Sequence, residues 1–388
     1  MNVKQLIEKN HDYIISMRRE FHRHPELSCQ EERTSRRIRE ELDKMGIFNT
    51  VVGNRNVVGI INPGAEGKHI AIRGDSDALL VTEETGLPFA SENPGVMHAC
   101  GHDGHAAILL GIGKSLQEIA DQLPGSVFLC FQIAEEIGKG ADEIVAYLKE
   151  NGGVDQVIST HLMSWLPLGG ITIPDGPVAS GFCLFNIKVK GTGGHGSRPH
   201  LAVNPLMPAS EILLKIAAIP TNRHNAFDTC VVSPCAINGG NKSNIIPETA
   251  EIIGSIRSFK YGDAQKIMDV MKTIAENTAA SYGAKAEVTA PKGFAAPAIN
   301  NDEAAACGRE LAEKMGLNVI TPEYPNIGSD NYADFLEAFP GFYCFAGSMK
   351  EGDQVSANHH HPRFDIDERS LDISAEFMAE YAVRFLQK

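Results

Sequence analysis

Short apolar runs set the architecture of this chain: VVGII at 57–61, IAIRG at 70–74, SVFLCFQ at 126–132 and DQVIST at 155–160. They lack the in–out alternation of a half-buried strand. Helical patterns stand between some of them, notably HAAILLGIGKSLQEIA at 105–120 and KGADEIVAYLKENG at 139–152. A strand that is apolar on both faces needs cover on both faces, and alternation with helices supplies it, so this part of the chain reads as α/β. A long amphipathic helix is expected over 12–46, ending at Gly46.

The middle of the chain is patterned differently. FCLFNIKVK at 182–190 alternates apolar and polar residues. A helix near 210–219, strands at 229–237 and 249–259, a long helix at 263–282 and a strand at 285–290 follow. The order βαββαβ is that of a small ferredoxin-like α+β domain with one sheet face free. An α/β pattern then resumes, with the strand GFYCFAGS at 341–348 and a C-terminal helix. The expected organisation is therefore 1–181 and 292–388 as two parts of one domain, with 182–291 inserted. Pro and Gly clusters mark both seams, PDGP at 174–177 and PKGFAAP at 291–297.

Lys and Arg total 35 and Asp and Glu 49, giving a net charge of −14 over 388 residues. That sign repels phosphate backbones and anionic lipid, so neither nucleic acid nor a membrane is an expected partner. The first residues, MNVKQLIEKNHDYIISMRREF, carry charge in every turn and show no secretory signal. Eight scattered cysteines lack the spacing of a disulfide framework, which suits free thiols in a reducing compartment. A cytoplasmic protein is the expectation.

Open α/β sheets bind ligands at the carboxyl ends of their strands. Asp75 and Asp77, Glu135 and Glu136, and His161 each follow one of the apolar runs; Cys100 and His102 open a helix, and His359, His360 and His361 follow the last strand. Separate segments thus deliver thiol, imidazole and carboxylate groups to one sheet edge. Such a mixture suits Zn²⁺ and also Mn²⁺, Co²⁺ or Ni²⁺. Five or more ligands exceed the needs of a one-zinc catalytic site and match two ions bridged by water. The adjacent carboxylates Glu135 and Glu136 can divide the labour, one on metal and the other a general base. Singly, each residue has a plainer reading: a buried thiol, helix-terminus histidines, a solvated acidic helix start. GTGGHG at 191–196 fits a dinucleotide fingerprint, but the strand before it alternates and Pro199, Pro205 and Pro208 interrupt any following helix, so nucleotide binding is set aside.

FHRHPELS at 21–28, HACGHDGHAAILLG, FQIAEE at 131–136, GTGGHGSRPH, SNIIPETAEIIGSIRSF and HHHPRFDID together resemble the M20 metallopeptidase family, in its amidohydrolase branch of N-acyl-amino-acid hydrolases and carboxypeptidases. The likeness spans essentially the whole chain. It implies a mixed-sheet dinuclear metallohydrolase domain, a lid that also dimerises, and hydrolysis of an N-acyl-amino acid or short peptide. By position it implies Cys100, His102, Glu136, His161 and His360 as metal ligands, with His359 and His361 as alternatives to the last. Glu135 takes the general-base role and Asp77 steadies a ligand histidine. In the lid, His195 is implied as an oxyanion stabiliser, and Asn244 and Arg257 as contacts to the substrate carboxylate. The usual Gly-Ser-Glu-Asp-aromatic motif reads Gly328-Ser329-Asp330-Asn331-Tyr332 here, a departure expected to bear on acyl preference. Two other readings stand beside this one: a hydrolase with Cys100 as nucleophile and His102 as base, and a catalytically silent binding dimer.

Overall fold

The apolar runs form the centre of an eight-stranded mixed sheet in the computed structural model of the chain, which describes residues 2–350, 352 and 357–388. The strand order is Phe48–Val52, Asn56–Ile61, Ser126–Gln132, His69–Asp75, Gln156–Pro167, Gly341–Met349, Gly170–Thr172 and Asn318–Val319. The third to sixth of these run parallel to one another. Their carboxyl ends consequently share one edge of the sheet. Every residue of Ser126–Gln132 is buried, as a strand covered on both faces must be. Helix His102–Gln117 packs against the His69–Asp75 strand and against helices His11–Arg23 and Arg369–Leu386. Gly111 permits that approach, because a Cβ there would lie 2.5 Å from the Ile14 side chain.

Two sequence expectations need correction. The helix expected over 12–46 is two helices, His11–Arg23 and Glu32–Lys44. Pro25 has no N–H to donate and keeps His24 out of helical geometry, so the chain stops and restarts. The restart is capped by Glu26, whose carboxylate accepts from the backbone N–H groups of Arg33 and Thr34 at 3.0 and 2.8 Å. Both helices bury a face in the same core, through Ile14, Met17 and Phe21 and through Ile38 and Leu42, which is why the periodicity reads as continuous. In addition, the strand expected to end at Thr160 continues to Pro167, so His161 sits within it.

The chain divides into two compact units. The larger takes in residues up to Val178, Ile299–Tyr324 and Asp330 onward; the smaller is Ala179–Ala298 with Pro325–Ser329. In the smaller unit the strands Gly181–Lys190, Cys230–Gly239, Thr249–Ser258 and Lys285–Thr289 form an antiparallel sheet in the order second, third, first, fourth. Helices Leu206–Ala217 and Asp263–Ser281 complete the βαββαβ order of a ferredoxin-like fold. Cys183, Phe185, Ile187 and Val189, alternate residues of the first strand, join Ile212, Ile216, Ile267 and Met271 of the helices in a separate core.

Candidate metal centre

Seven of the sequence-predicted residues converge in the larger unit: the five ligand candidates, Glu135 and Asp77. Cys100 and His102 flank Gly101, whose left-handed backbone (φ 89°) opens helix His102–Gln117. Glu135 and Glu136 lie in one 3₁₀ turn after the Ser126–Gln132 strand. The ligand atoms of Cys100, His102 and His161 all lie within 4.8 Å of one another, and those of Cys100, Glu136 and His360 do likewise. Two triads therefore share one sulfur. His161 Nε2 is 3.5 Å from Cys100 Sγ, and His360 Nε2 is 3.4 Å from Glu136 Oε1.

Hydrogen bonds decide which imidazole nitrogens remain for an ion. His102 Nδ1 faces the Asp77 carbonyl at 3.0 Å and Asp77 Oδ1 at 3.2 Å, so its Nε2 is left over. His161 Nδ1 faces the Leu162 carbonyl at 3.0 Å, which again leaves Nε2. His105 has both nitrogens engaged, by Asp75 Oδ1 at 2.6 Å and by the Leu162 N–H at 3.0 Å. His359 Nε2 bonds the Leu162 carbonyl at 2.9 Å, and His361 Nδ1 accepts from the Arg363 N–H. Of the three consecutive histidines, His360 faces Glu136. Its backbone is left-handed (φ 66°) and its N–H is held by the Ala99 carbonyl at 2.7 Å. His102 Nε2 and Glu136 Oε1 are buried without a hydrogen-bond partner. Buried polar atoms left bare are costly, and a cation would satisfy both. With sulfur, imidazole and carboxylate donors assembled, the residues fit a pair of divalent ions.

Asp77 serves three neighbours. Besides His102, its other oxygen accepts from Ser28 Oγ at 2.7 Å and from the Glu136 N–H at 3.1 Å. Behind the glutamates is a polar network that the sequence reading did not anticipate. Buried Arg73 lies 2.7 Å from Asp75 and 3.1 Å from Asp330, and donates to Gln132 Oε1 at 2.8 Å. Gln132 in turn donates to Asn331 Oδ1 at 2.7 Å, and the Tyr343 hydroxyl donates to Asp330. The unusual Asp330-Asn331 pair is thus engaged in this network. Burial above all, then Asp330, holds the Glu135 carboxyl well above the usual range, against the opposing pull of His102. Two sequence features signal the network: Arg73, a charge inside an apolar run, and the Asp330-Asn331 departure. Burial likewise pushes the Cys100 thiol up.

The remaining predicted residues belong to the smaller unit. His195 is exposed on a short strand, paired with Ile245. Its Nδ1 accepts from the Ser197 N–H at 3.1 Å, so the ring proton sits on Nε2. The neighbouring Asn244 carbonyl accepts from the Gly196 N–H at 2.9 Å. Arg257 lies over the Phe182 ring at 4.2 Å and donates to the Ile327 carbonyl at 3.2 Å.

A mixed α/β sheet whose carboxyl edge gathers a shared thiolate position, imidazoles and paired glutamates defines a metal-dependent hydrolase. The sequence profile of peptidase family M20/M25/M40 matches residues 71–384, and the chain belongs to that family. An N-acetylcysteine deacetylase of Bacillus subtilis is 34% identical over 381 residues, 97% of this chain and 98% of that protein. The thermostable carboxypeptidase 1 of Saccharolobus solfataricus is 36% identical over 390 residues, 100% of this chain and 98% of that one. The crystal structure of the Bacillus subtilis YXEP protein, described as a dinuclear metal binding peptidase of family M20, superposes with a TM-score of 0.83 at 33% identity, over 98% of this chain and 99% of that one. The protein is a hydrolase of amide or peptide bonds, in the amidohydrolase branch of the family. Among the described residues no helix is long and apolar enough to cross a membrane.

Proposed function

We propose that the enzyme cleaves the amide bond of N-acyl-amino acids, releasing a carboxylic acid and a free amino acid. The observation that carries the reading is the pair of ligand triads sharing Cys100, with the Glu135 carboxyl beside them. Two divalent ions per subunit, Zn, Mn, Co or Ni, would be held by Cys100, His102, Glu136, His161 and His360. Such ions polarise a carbonyl and acidify water. Glu135 accepts the proton of the attacking water and passes it to the departing nitrogen, a task that suits a carboxyl held above its ordinary range. Asp77 keeps His102 in the tautomer that leaves Nε2 for an ion. His195, with its proton on Nε2, donates to the oxygen on which charge develops. Arg257 and Asn244 receive the substrate carboxylate, for which a planar guanidinium is suited.

Homodimerisation through the smaller unit and a cytoplasmic setting belong to the same reading. The sheet of that unit ends in the strand Cys230–Gly239, whose outer edge is available for extension. All eight cysteines are unpaired. A second reading, carboxypeptidase or dipeptidase action, draws on the relative named as a carboxypeptidase. Peptide and acyl-amide bonds are chemically alike, and pocket shape separates them.

A panel of N-acetyl, N-benzoyl and indole-acetyl amino acids and dipeptides, assayed for free amine, tests these alternatives. Cleavage should vanish when chelation leaves the protein free of metal and return with one of the four ions. A protein proven metal-free that still cleaves would sink the reading and restore Cys100 as nucleophile.

A further inference from the structure

The 3₁₀ turn bearing Glu135 and Glu136 starts from an unfavourable backbone. Ala134 has φ 57° and ψ 33°, the left-handed region that a residue with a Cβ seldom adopts. Such a conformation persists only where its surroundings impose it. The Ala134 N–H points to Glu31 Oε1 at 2.8 Å. Glu31 is wholly buried (0% exposed), and its other oxygen has no hydrogen-bond partner. A carboxyl is an expensive group to bury, and this one faces backbone N–H groups, that of Ala134 among them. Two residues further on, Asp77 takes the Glu136 N–H at 3.1 Å. The turn is therefore held at its entry and at its middle residue by carboxylates from other segments, and Asp77 also holds His102.

We infer that Glu31 is a positioning residue: its carboxyl holds the left-handed turn at Ala134 from which Glu135 and Glu136 project. This rests on the roles proposed above for those two glutamates. Glu31 touches neither substrate nor ion; it fixes where the base stands. A misplacement of about 1 Å at a reacting group can cost on the order of 10²-fold in rate. Burial first, and Asp77 second, push Glu31 up to about 7, so its protonated form is accessible at neutral pH and glutamine copies its shape.

Three substitutions separate the clamp from simple packing. Glu31→Gln keeps an acceptor oxygen at the same reach and should retain kcat within about threefold. Glu31→Leu removes the acceptor, and Glu31→Asp withdraws it by one methylene while preserving charge. Both should lose about 10- to 100-fold in kcat with KM little changed. Hydrogen exchange over residues 131–138 supplies a readout independent of turnover. It should speed up in the Leu and Asp variants and stay at the wild-type rate in the Gln variant. Should the Leu variant not fold, the Asp and Gln pair decides alone. Wild-type kcat and exchange in the Asp variant would overturn the inference, as would a Gln variant as impaired as the Asp one. If the wild type cleaves no amide while exchange still divides the variants, the clamp stands and the proposed function falls.

Discussion

At the scale of single residues, neighbouring identical side chains are separated by their surroundings. Glu135 and Glu136 share one turn, yet Glu136 presents a bare, buried oxygen toward His360 and His102, whereas burial and Asp330 raise the proton affinity of Glu135. Those contacts support the proposed division into a ligand, Glu136, and a base, Glu135. Glu135→Gln should lower kcat by about 10²- to 10⁴-fold while the protein still takes up its ions, because the amide is nearly isosteric and cannot carry the proton. Metal analysis beside steady-state kinetics checks this. An equal loss of ions and activity would assign Glu135 to the ligand set. The same logic separates His359, which faces a backbone carbonyl, from His360.

Among elements, helix His102–Gln117, which opens at the candidate metal centre, is tied to helix His11–Arg23 by a buried charge network. Arg18, 1% exposed, donates to Asp103 at 3.0 Å, Asp365 at 2.9 Å and Glu368 at 3.1 Å. His22 joins it, 2.8 Å from Asp103 and 3.2 Å from Glu83. Burial opposes a charge on His22, but Asp103 and then Glu83 outweigh it and raise the imidazole from 6.5 to about 9. A group whose folded-state value is raised contributes its full stability below its unfolded value and loses it as pH rises through the folded one. The His22 contribution should thus be complete below pH 6.5 and gone above about pH 9. At 1.36 kcal/mol per unit it amounts to roughly 3 kcal/mol at most. Urea unfolding at pH 6 and pH 9.5, wild type against His22→Gln, measures it. The pH-dependent difference between the two proteins should shrink by that amount at the alkaline end, and an unchanged difference would remove His22 from the network. Asp103, held well below the usual carboxylate range by Arg18 and His22 against its burial, behaves oppositely: its contribution is lost on acidification.

At the scale of the molecule, the two units have separate cores, and the proposed pair of ions belongs to one of them. All five proposed ligands lie in the larger unit, and none in Ala179–Ala298. Ions that bind only the folded protein stabilise it by about 2.7 kcal/mol at a concentration 100 times Kd. Chelation should therefore accelerate hydrogen exchange in helix His102–Gln117 and leave helix Leu206–Ala217 of the smaller unit unaffected. Exchange that rises equally in both helices would show that the ions stabilise the chain as a whole.

Local pattern made much of this legible. Runs buried on both faces announce themselves by composition, and the residues beyond them point to the edge where ligands gather, because strand ends are fixed by the chain itself. The βαββαβ order was equally readable, since alternation and helical period are properties of short segments. The break at Pro25 was misread because two helices burying faces in one core keep a common apolar rhythm. What tertiary structure alone decided is long-range and atomic: which nitrogen of His102 and His161 is left bare, that Arg73 meets Asp330 far along the chain, and that Glu31 reaches the Ala134 N–H across 103 residues of separation. Sequence spacing does not encode such contacts. They arise only when the packed core brings distant segments within hydrogen-bond range, and burial then makes every unpaired polar atom costly.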